Sequence, residues 1–229
     1  MLVARSDPPA GAPSEGPLIM SHVVLLGDSI FDNERYVPGE SPIIEQLRSR
    51  LPREWQATLL ARDGAVASDV LGQLDRLPEN ATHLIVSAGG NNALENSAIL
   101  GEWDRSAAEG FITLAEIQDQ FRREYHELLR TILAFNKPTV ICTIYDCIPD
   151  LPPQEITALS VFNDVILREA IRARLPILDL RMICDEARDY SKVSSIEPSK
   201  FGGLKIVQGI VRIINGHDFN RREGVVYGK

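Results

Sequence analysis

Five short apolar runs, separated by segments with helical spacing, limit the folds open to this chain. They are HVVLLG (22–27), QATLLAR (56–62), THLIVSAGG (82–90), PTVICTIYD (138–146) and PILDL (176–180). Most are near-continuously apolar rather than alternating, which predicts strands buried on both faces. In SPIIEQLRSRL (41–51), Ser41 reads as an N-cap and Pro42 as the first helical residue, with Ile43, Ile44, Leu47 and Leu51 on one face. ASDVLGQLDRL (67–77) aligns Val70, Leu71, Leu74 and Leu77 in the same way. Further helical patterns run from about 115 to 136, over 155–174 and over 200–216, the last ending at Gly216. Alternation of this kind predicts an α/β fold: a five-stranded parallel sheet between two layers of helices, a three-layer sandwich. No internal repeat or boundary divides residues 21–229, so one domain is expected there. Residues 1–20, rich in Pro, Gly, Ala and Ser, are expected to form a flexible N-terminal arm.

The net charge of -8 and pI near 5.1 argue against nucleic acid or an anionic membrane surface as the main partner. No apolar run is long enough for a membrane span, and the first twenty residues lack the apolar stretch of a signal peptide. A cytoplasmic location is therefore expected. The three cysteines, Cys142, Cys147 and Cys184, form no Cys-x-x-Cys or Cys/His cluster. They predict buried free thiols rather than a disulfide framework or a zinc site, and no metal or cofactor is expected.

In a parallel sheet all strands end at one edge, and ligands of open α/β sheets bind there. The loops leaving the predicted strands hold the chemistry-bearing residues. In GDSIFDN (27–33), Gly27 allows a sharp turn that presents Ser29 at the edge. The Gly-Asp-Ser sequence is also a common turn or helix cap. In GGNN (89–92), two glycines permit close backbone approach, and an Asn amide can donate to a developing oxyanion. Between these lies the Gly-containing loop DGAVASD (63–69). The loops together are far more specific than any one alone.

Over roughly residues 21–216 the chain resembles the SGNH/GDSL hydrolases, flavodoxin-like α/β/α sandwiches that include esterases, lipases and acetyl-hydrolases. GDSI matches the nucleophile block, so the resemblance implies Ser29 as nucleophile. GGNN matches the Gly-x-Asn-Asp block, which implies Asn91 as oxyanion donor, with Asn92 in place of the usual Asp. In DGAVASD, Ala67 takes the place of a glycine whose N–H completes the oxyanion hole. The last block departs from the pattern. Where the family has Asp-x-x-His-Pro before the final helix, this chain has SSIEPS (194–199), with Ser194 for the aspartate and Glu197 for the histidine.

None of the four histidines is an evident substitute. His22 and His83 sit near strand starts, His126 is mid-helix, and His217 follows the last helix, which runs away from the site. Glu197 itself is then the candidate base. A free Glu, with a pKa of about 4.3, is weak, but burial or a neighbouring carboxylate would strengthen it. Asp28, Asp32, Asp146 and Asp150 lie on loops at the same edge. An exposed carboxylate near the N-terminus of the last helix is the plainer reading of Glu197.

Two functions are expected on these grounds. One is a serine esterase acting on a small-molecule ester or acylated substrate, with Ser29, Ala67, Asn91 and Glu197 as its site. The other is a ligand-binding or scaffold protein that keeps the hydrolase fold without turnover. Segment 93–115 and the Pro-rich CIPDLPP (147–153) are expected to overhang the site.

Overall fold

The computed structural model describes residues 20–98, 106–221 and 223–229. The expected N-terminal arm, apart from Met20, and Trp103 of the overhanging segment lie outside the described residues.

Strand β1 (His22–Gly27) shows how the sheet is covered. Its side chains alternate between the two faces. Val23 and Leu25 enter one core with Ile43, Leu47, Ile206 and Ile210. Val24 and Leu26 enter the other with Val70, Leu128, Phe162 and Ile166. All of these residues are 3% exposed or less, so the run Val23–Leu26 is continuously apolar because neither face meets water.

The remaining strands and α-helices among the described residues are α1 (Ile43–Arg50), β2 (Gln56–Leu59), α2 (Asp69–Leu74), β3 (His83–Ser87), α3 (Gly90–Glu95), α4 (Ala107–Ala134), β4 (Thr139–Cys142), α5 (Pro153–Arg172), β5 (Ile177–Leu178), α6 (Leu180–Ile183), α7 (Lys200–Gly216) and β6 (Val226–Tyr227). The sheet order is β2-β1-β3-β4-β5-β6 and every pairing is parallel. Helices α1 and α7 cover one face; α2, α4 and α5 cover the other.

The expected strand count of five is corrected to six. Residues Val226 and Tyr227 pair with Ile177 and Leu178. A two-residue strand after a polar tail carries no periodic signal, and only the exposed edge of β5 makes it a strand. Two short helices, α3 and α6, also stand where loops were expected. At α1, Pro42 is the N-cap rather than the first helical residue, and no Ser41 side-chain cap forms. The first N–H, that of Ile43, is instead capped by Asn33 Oδ1 at 2.9 Å.

Gly27 ends β1 at φ 129°, and a Cβ there would lie 1.7 Å from the Ser87 carbonyl oxygen. No side chain fits, so the chain turns here only with glycine. Its N–H and C=O are both paired, at 2.8 Å each, with the buried amide of Gln73 from α2.

Candidate active site

The turn after Gly27 is held by its own backbone. Asp28 N–H donates to Ser87 O, and Asp28 O accepts from Phe31 and Asp32 N–H, each at 3.1–3.2 Å. Asp28 Oδ1 accepts Ile30 N–H at 3.1 Å, closing an Asx turn around Ser29. Ser29 is 7% exposed, and its N–H makes no hydrogen bond among the described residues.

Ser29 opens into a cleft of about 100 Å³. Asp28, Gly90, Asn91 and Glu197 line the cleft with Ser29, and Leu94, Leu114, Ile117, Leu151, Leu159 and Phe162 are part of its apolar wall. The two expected overhangs thus contribute, through Leu94, Leu114, Ile148 and Leu151, whereas Phe111 is 71% exposed and lies off the cleft.

Asn91 stands at the start of α3, after Gly89 at φ 121°. Its Nδ2 donates to Ala65 O at 2.9 Å, which fixes the amide. An amide NH₂ carries two donors, and the second hydrogen on that nitrogen has no partner among the described residues.

Ala67 differs from the expectation. It is fully buried, it does not line the cleft, and its N–H donates to Asn92 Oδ1 at 2.9 Å. Asn92 also donates to Glu124 at 3.2 Å, so this side chain ties the 63–69 loop to α3 and α4. The structure therefore brings Ser29, Asn91 and Glu197 together and leaves Ala67 apart.

Glu197 is 4% exposed, not an exposed carboxylate at a helix end. The N-cap of α7 is Ser199, whose Oγ accepts from Phe201 and Gly202 N–H. Residues 189–199 fold back on themselves: Tyr190 and Pro198 form an antiparallel bridge, and Ser191 N–H donates to Glu197 O at 2.8 Å. Two buried side chains then grip the carbonyls on either side of Glu197. Tyr145 Oη donates to Ile196 O at 2.6 Å, and Asn33 Nδ2 donates to Pro198 O at 3.2 Å. Neither residue was singled out from the sequence. Asn33 carries no periodic signal, although it ends the same GDSIFDN loop that supplies Ser29.

Burial pushes the Glu197 carboxyl up to about 8; hydrogen bonding from the Ser29 hydroxyl opposes the shift, and the charges of Asp28 and Asp63 add to it. Its Oε2 has no hydrogen-bond partner among the described residues. Burial likewise raises Asp28 to about 7. Of the four aspartates expected to crowd this edge, only Asp28 lines the cleft.

None of the four histidines lines it. His22 bonds Asn80 and Thr58 through its two ring nitrogens, and His83 stacks on Trp55. His126 pairs with Glu169 at 2.8 Å, and His217 meets the Tyr227 hydroxyl at 3.0 Å. Among the described residues, no group of His, Cys, Asp and Glu side chains has the makings of a metal site. Cys142 and Cys184 are buried thiols as expected, but Cys147 is exposed. No described helix is long and apolar enough to cross a membrane.

Residues 25–199 match the GDSL-like Lipase/Acylhydrolase family. No curated protein sequence matches the chain. Among solved structures it is similar to the lipase Lip_vut3 from a goat rumen metagenome, at 14% identity and a TM-score of 0.68 over 89% of this chain and 100% of that one. It is similar to the acetyl xylan esterase AlAXEase at 14% identity and a TM-score of 0.63, over 84% and 99% of the two chains. Phospholipase A1 from Streptomyces albidoflavus NA297 aligns at 17% identity and a TM-score of 0.59, over 87% and 100%. At these identities the likeness establishes the fold.

Proposed function

The chain belongs to the GDSL-like Lipase/Acylhydrolase family, and on that premise we propose that it is a serine esterase whose base is Glu197. Ser29 Oγ attacks the acyl carbon of an ester, and its proton passes to the Glu197 carboxylate. Ser29 N–H and the second Asn91 Nδ2 hydrogen stabilise the oxyanion. Collapse of the intermediate releases the alcohol, which takes the proton from Glu197. Water then repeats the sequence on the acyl-enzyme. Ala67, whose N–H is engaged by Asn92, supports the loop rather than the oxyanion.

The observation that carries this reading is the placement of Glu197 beside Ser29 in an apolar wall with no cation acting on it. Desolvation makes a carboxylate rare but strong. At about 8, the conjugate acid of Glu197 is weaker than that of free imidazole, near 6.5. The ionised carboxylate is a minority form at neutral pH, and it is a better base than histidine would be. The same burial that removes the helix-end role from Glu197 thus equips it for proton transfer.

An apolar cleft supports an acyl group as the part of the substrate held there. The structural neighbours include proteins named as a lipase, an acetyl xylan esterase and a phospholipase A1, and all three names are compatible with ester cleavage at one serine. The test is hydrolysis of p-nitrophenyl acetate by the full chain. Turnover is expected to vanish in Ser29→Ala. Turnover that survives that substitution overturns the proposal, and ligand binding without any Ser29-dependent hydrolysis across an ester panel favours a binding protein instead.

A further inference from the structure

The loop that carries Glu197 has little packing of its own. Lys192, Val193 and Ser195 are exposed, and Ser194 and Ile196 are half-buried. Glu197 is nevertheless 4% exposed and meets the Ser29 hydroxyl. We propose that Tyr145 is a positioning residue for the base: by holding the carbonyl of Ile196, its hydroxyl keeps the Glu197 carboxyl at Ser29. This role rests on the esterase reading and deepens it.

A peptide group is planar, so the two peptide planes that flank Glu197 set the direction of its Cα–Cβ bond. The plane after Glu197 is fixed within the loop, where Glu197 O accepts Ser191 N–H at 2.8 Å. The plane before it holds Ile196 O and Glu197 N–H. Glu197 N–H donates to Ser194 O at 3.1 Å, again within the loop. Ile196 O accepts from Tyr145 Oη at 2.6 Å, and this bond ties the plane to the body of the domain. Asn33 reaches the next carbonyl, that of Pro198, which belongs to neither plane.

Tyr145 is itself held in place. Buried Asn163 on α5 pairs with both backbone groups of Ile144, accepting its N–H at 2.8 Å and donating to its carbonyl at 2.9 Å. Tyr145 is 2% exposed, and its ring stands edge-on to Tyr190 with centroids 5.1 Å apart. The same residue lines the cleft. The anchor therefore runs from α5 through Ile144 and Tyr145 to the peptide of Glu197. Phenylalanine at position 145 keeps the ring, its packing and the cleft wall, and removes the anchor alone.

The anchor also keeps water from the carboxyl. Burial is the main cause that raises Glu197 to about 8. Among the described residues, the groups that act on it electrostatically are Asp28, Asp63, Tyr36 and Tyr145, none of them a cation. A loop released from Tyr145 admits water, and Glu197 then titrates closer to the ordinary range near 4.3. Turnover needs the ionised carboxylate, so it rises with pH, and loss of the anchor moves that rise to lower pH.

The experiment is a double-mutant cycle on the full chain with p-nitrophenyl acetate. It compares the wild type, Tyr145→Phe, Glu197→Gln and the double variant, with Ser29→Ala as the background. Tyr145→Phe is expected to lose about 10- to 100-fold in kcat, with KM changed by less than about threefold. Its pH–rate rise should move to lower pH. In the Glu197→Gln chain the same substitution should cost less than about twofold, because no base is left to place.

A purely structural hydroxyl would leave the pH–rate rise where it is. If the rise does not move, or if Tyr145→Phe costs as much with Glu197→Gln as without it, the Tyr145 role is wrong. Loss of the fold in Tyr145→Phe, read by urea unfolding, would make the bond structural and overturn the role as well. Ser29-dependent turnover with an additive cycle overturns Tyr145 only, whereas turnover that survives Ser29→Ala overturns the esterase reading.

Discussion

Besides Asp189, which is paired with Lys205 at 2.7 Å, the buried carboxyls among the described residues form two pairs that are handled in opposite ways. Asp179, at the end of β5, and Glu169, on α5, are 5% and 4% exposed. Asp179 is forked by Arg181, with contacts of 2.8 and 2.6 Å, and accepts from Thr143. Glu169 meets Arg172 at 2.5 Å and His126 at 2.8 Å. Burial opposes their ionisation, but these partners outweigh it and hold both below the usual carboxylate range. Asp28 and Glu197 are buried as deeply, at 1% and 4%, and have no cation. Both are pushed up. A fold that supplies arginines to one pair and withholds them from the other has retained the costly pair where it faces a serine. Perturbed carboxyls of this kind cluster at functional sites.

The comparison breaks most sharply if both pairs behave alike when neutralised. Glu197→Gln preserves shape but cannot accept a proton, and it is expected to lose about 10²- to 10⁴-fold in kcat/KM on p-nitrophenyl acetate. Glu169→Gln should leave kcat/KM within a few-fold. Similar losses in both variants would remove the distinction.

Stability against pH separates the pairs next. Asp28 and Glu197 titrate higher in the folded chain than the ordinary carboxyl range near 4. Folded molecules hold these protons after unfolded ones have lost them. The contribution to stability is therefore complete below about 4 and is lost as pH rises through about 7 to 8. Asp179 and Glu169 are lowered, so their contribution is present above the ordinary range and is lost on acidification. Urea unfolding at a series of pH values should show the double variant Asp28→Asn/Glu197→Gln gaining on the wild type as pH rises. A difference that stays constant with pH would contradict the shifts.

A smaller effect is expected at the paired site. Asp179→Asn leaves Arg181 without its carboxylate and should cost about 1–3 kcal/mol in urea unfolding at pH 7. No loss there would mean that the ion pair contributes little.

The smallest expected effect is a converse one. Glu197→His introduces an imidazole, but Ser194 cannot orient it as an aspartate would. Relative to Glu197→Gln, kcat should recover only in part, by about tenfold, and should improve further when Ser194→Asp is added. Equal activity with and without Ser194→Asp would show that the loop does not place position 194 behind position 197.

Much of this was legible in the sequence, for physical reasons that differ by residue. Val23 to Leu26 announce a two-sided buried strand because each needs an apolar neighbour on its own face. Gly27 and Gly89 mark the turns that carry Ser29 and Asn91, because both backbones adopt positive φ. The burial of Glu197 was not legible. SSIEPS reads as a polar loop, and Tyr145 and Asn33, distant in sequence, help to draw it inward by gripping the carbonyls on either side. The destination of Ala67 N–H was equally hidden, since a backbone donor leaves no trace in composition and its acceptor is Asn92, 25 positions away. Val226 and Tyr227 become a strand only because β5 offers them an edge.

The central claim is that Glu197 activates Ser29. The most direct measurement is the rate at which a fluorophosphonate labels the full chain, followed by mass spectrometry across pH in the wild type and in Glu197→Gln. The account predicts a single adduct on Ser29, with a wild-type rate that climbs through the titration of the buried carboxyl pair between about 7 and 8. It predicts slow labelling of Glu197→Gln, with no such climb. An adduct on another residue, or a Glu197→Gln rate that matches the wild type in size and pH dependence, would contradict it.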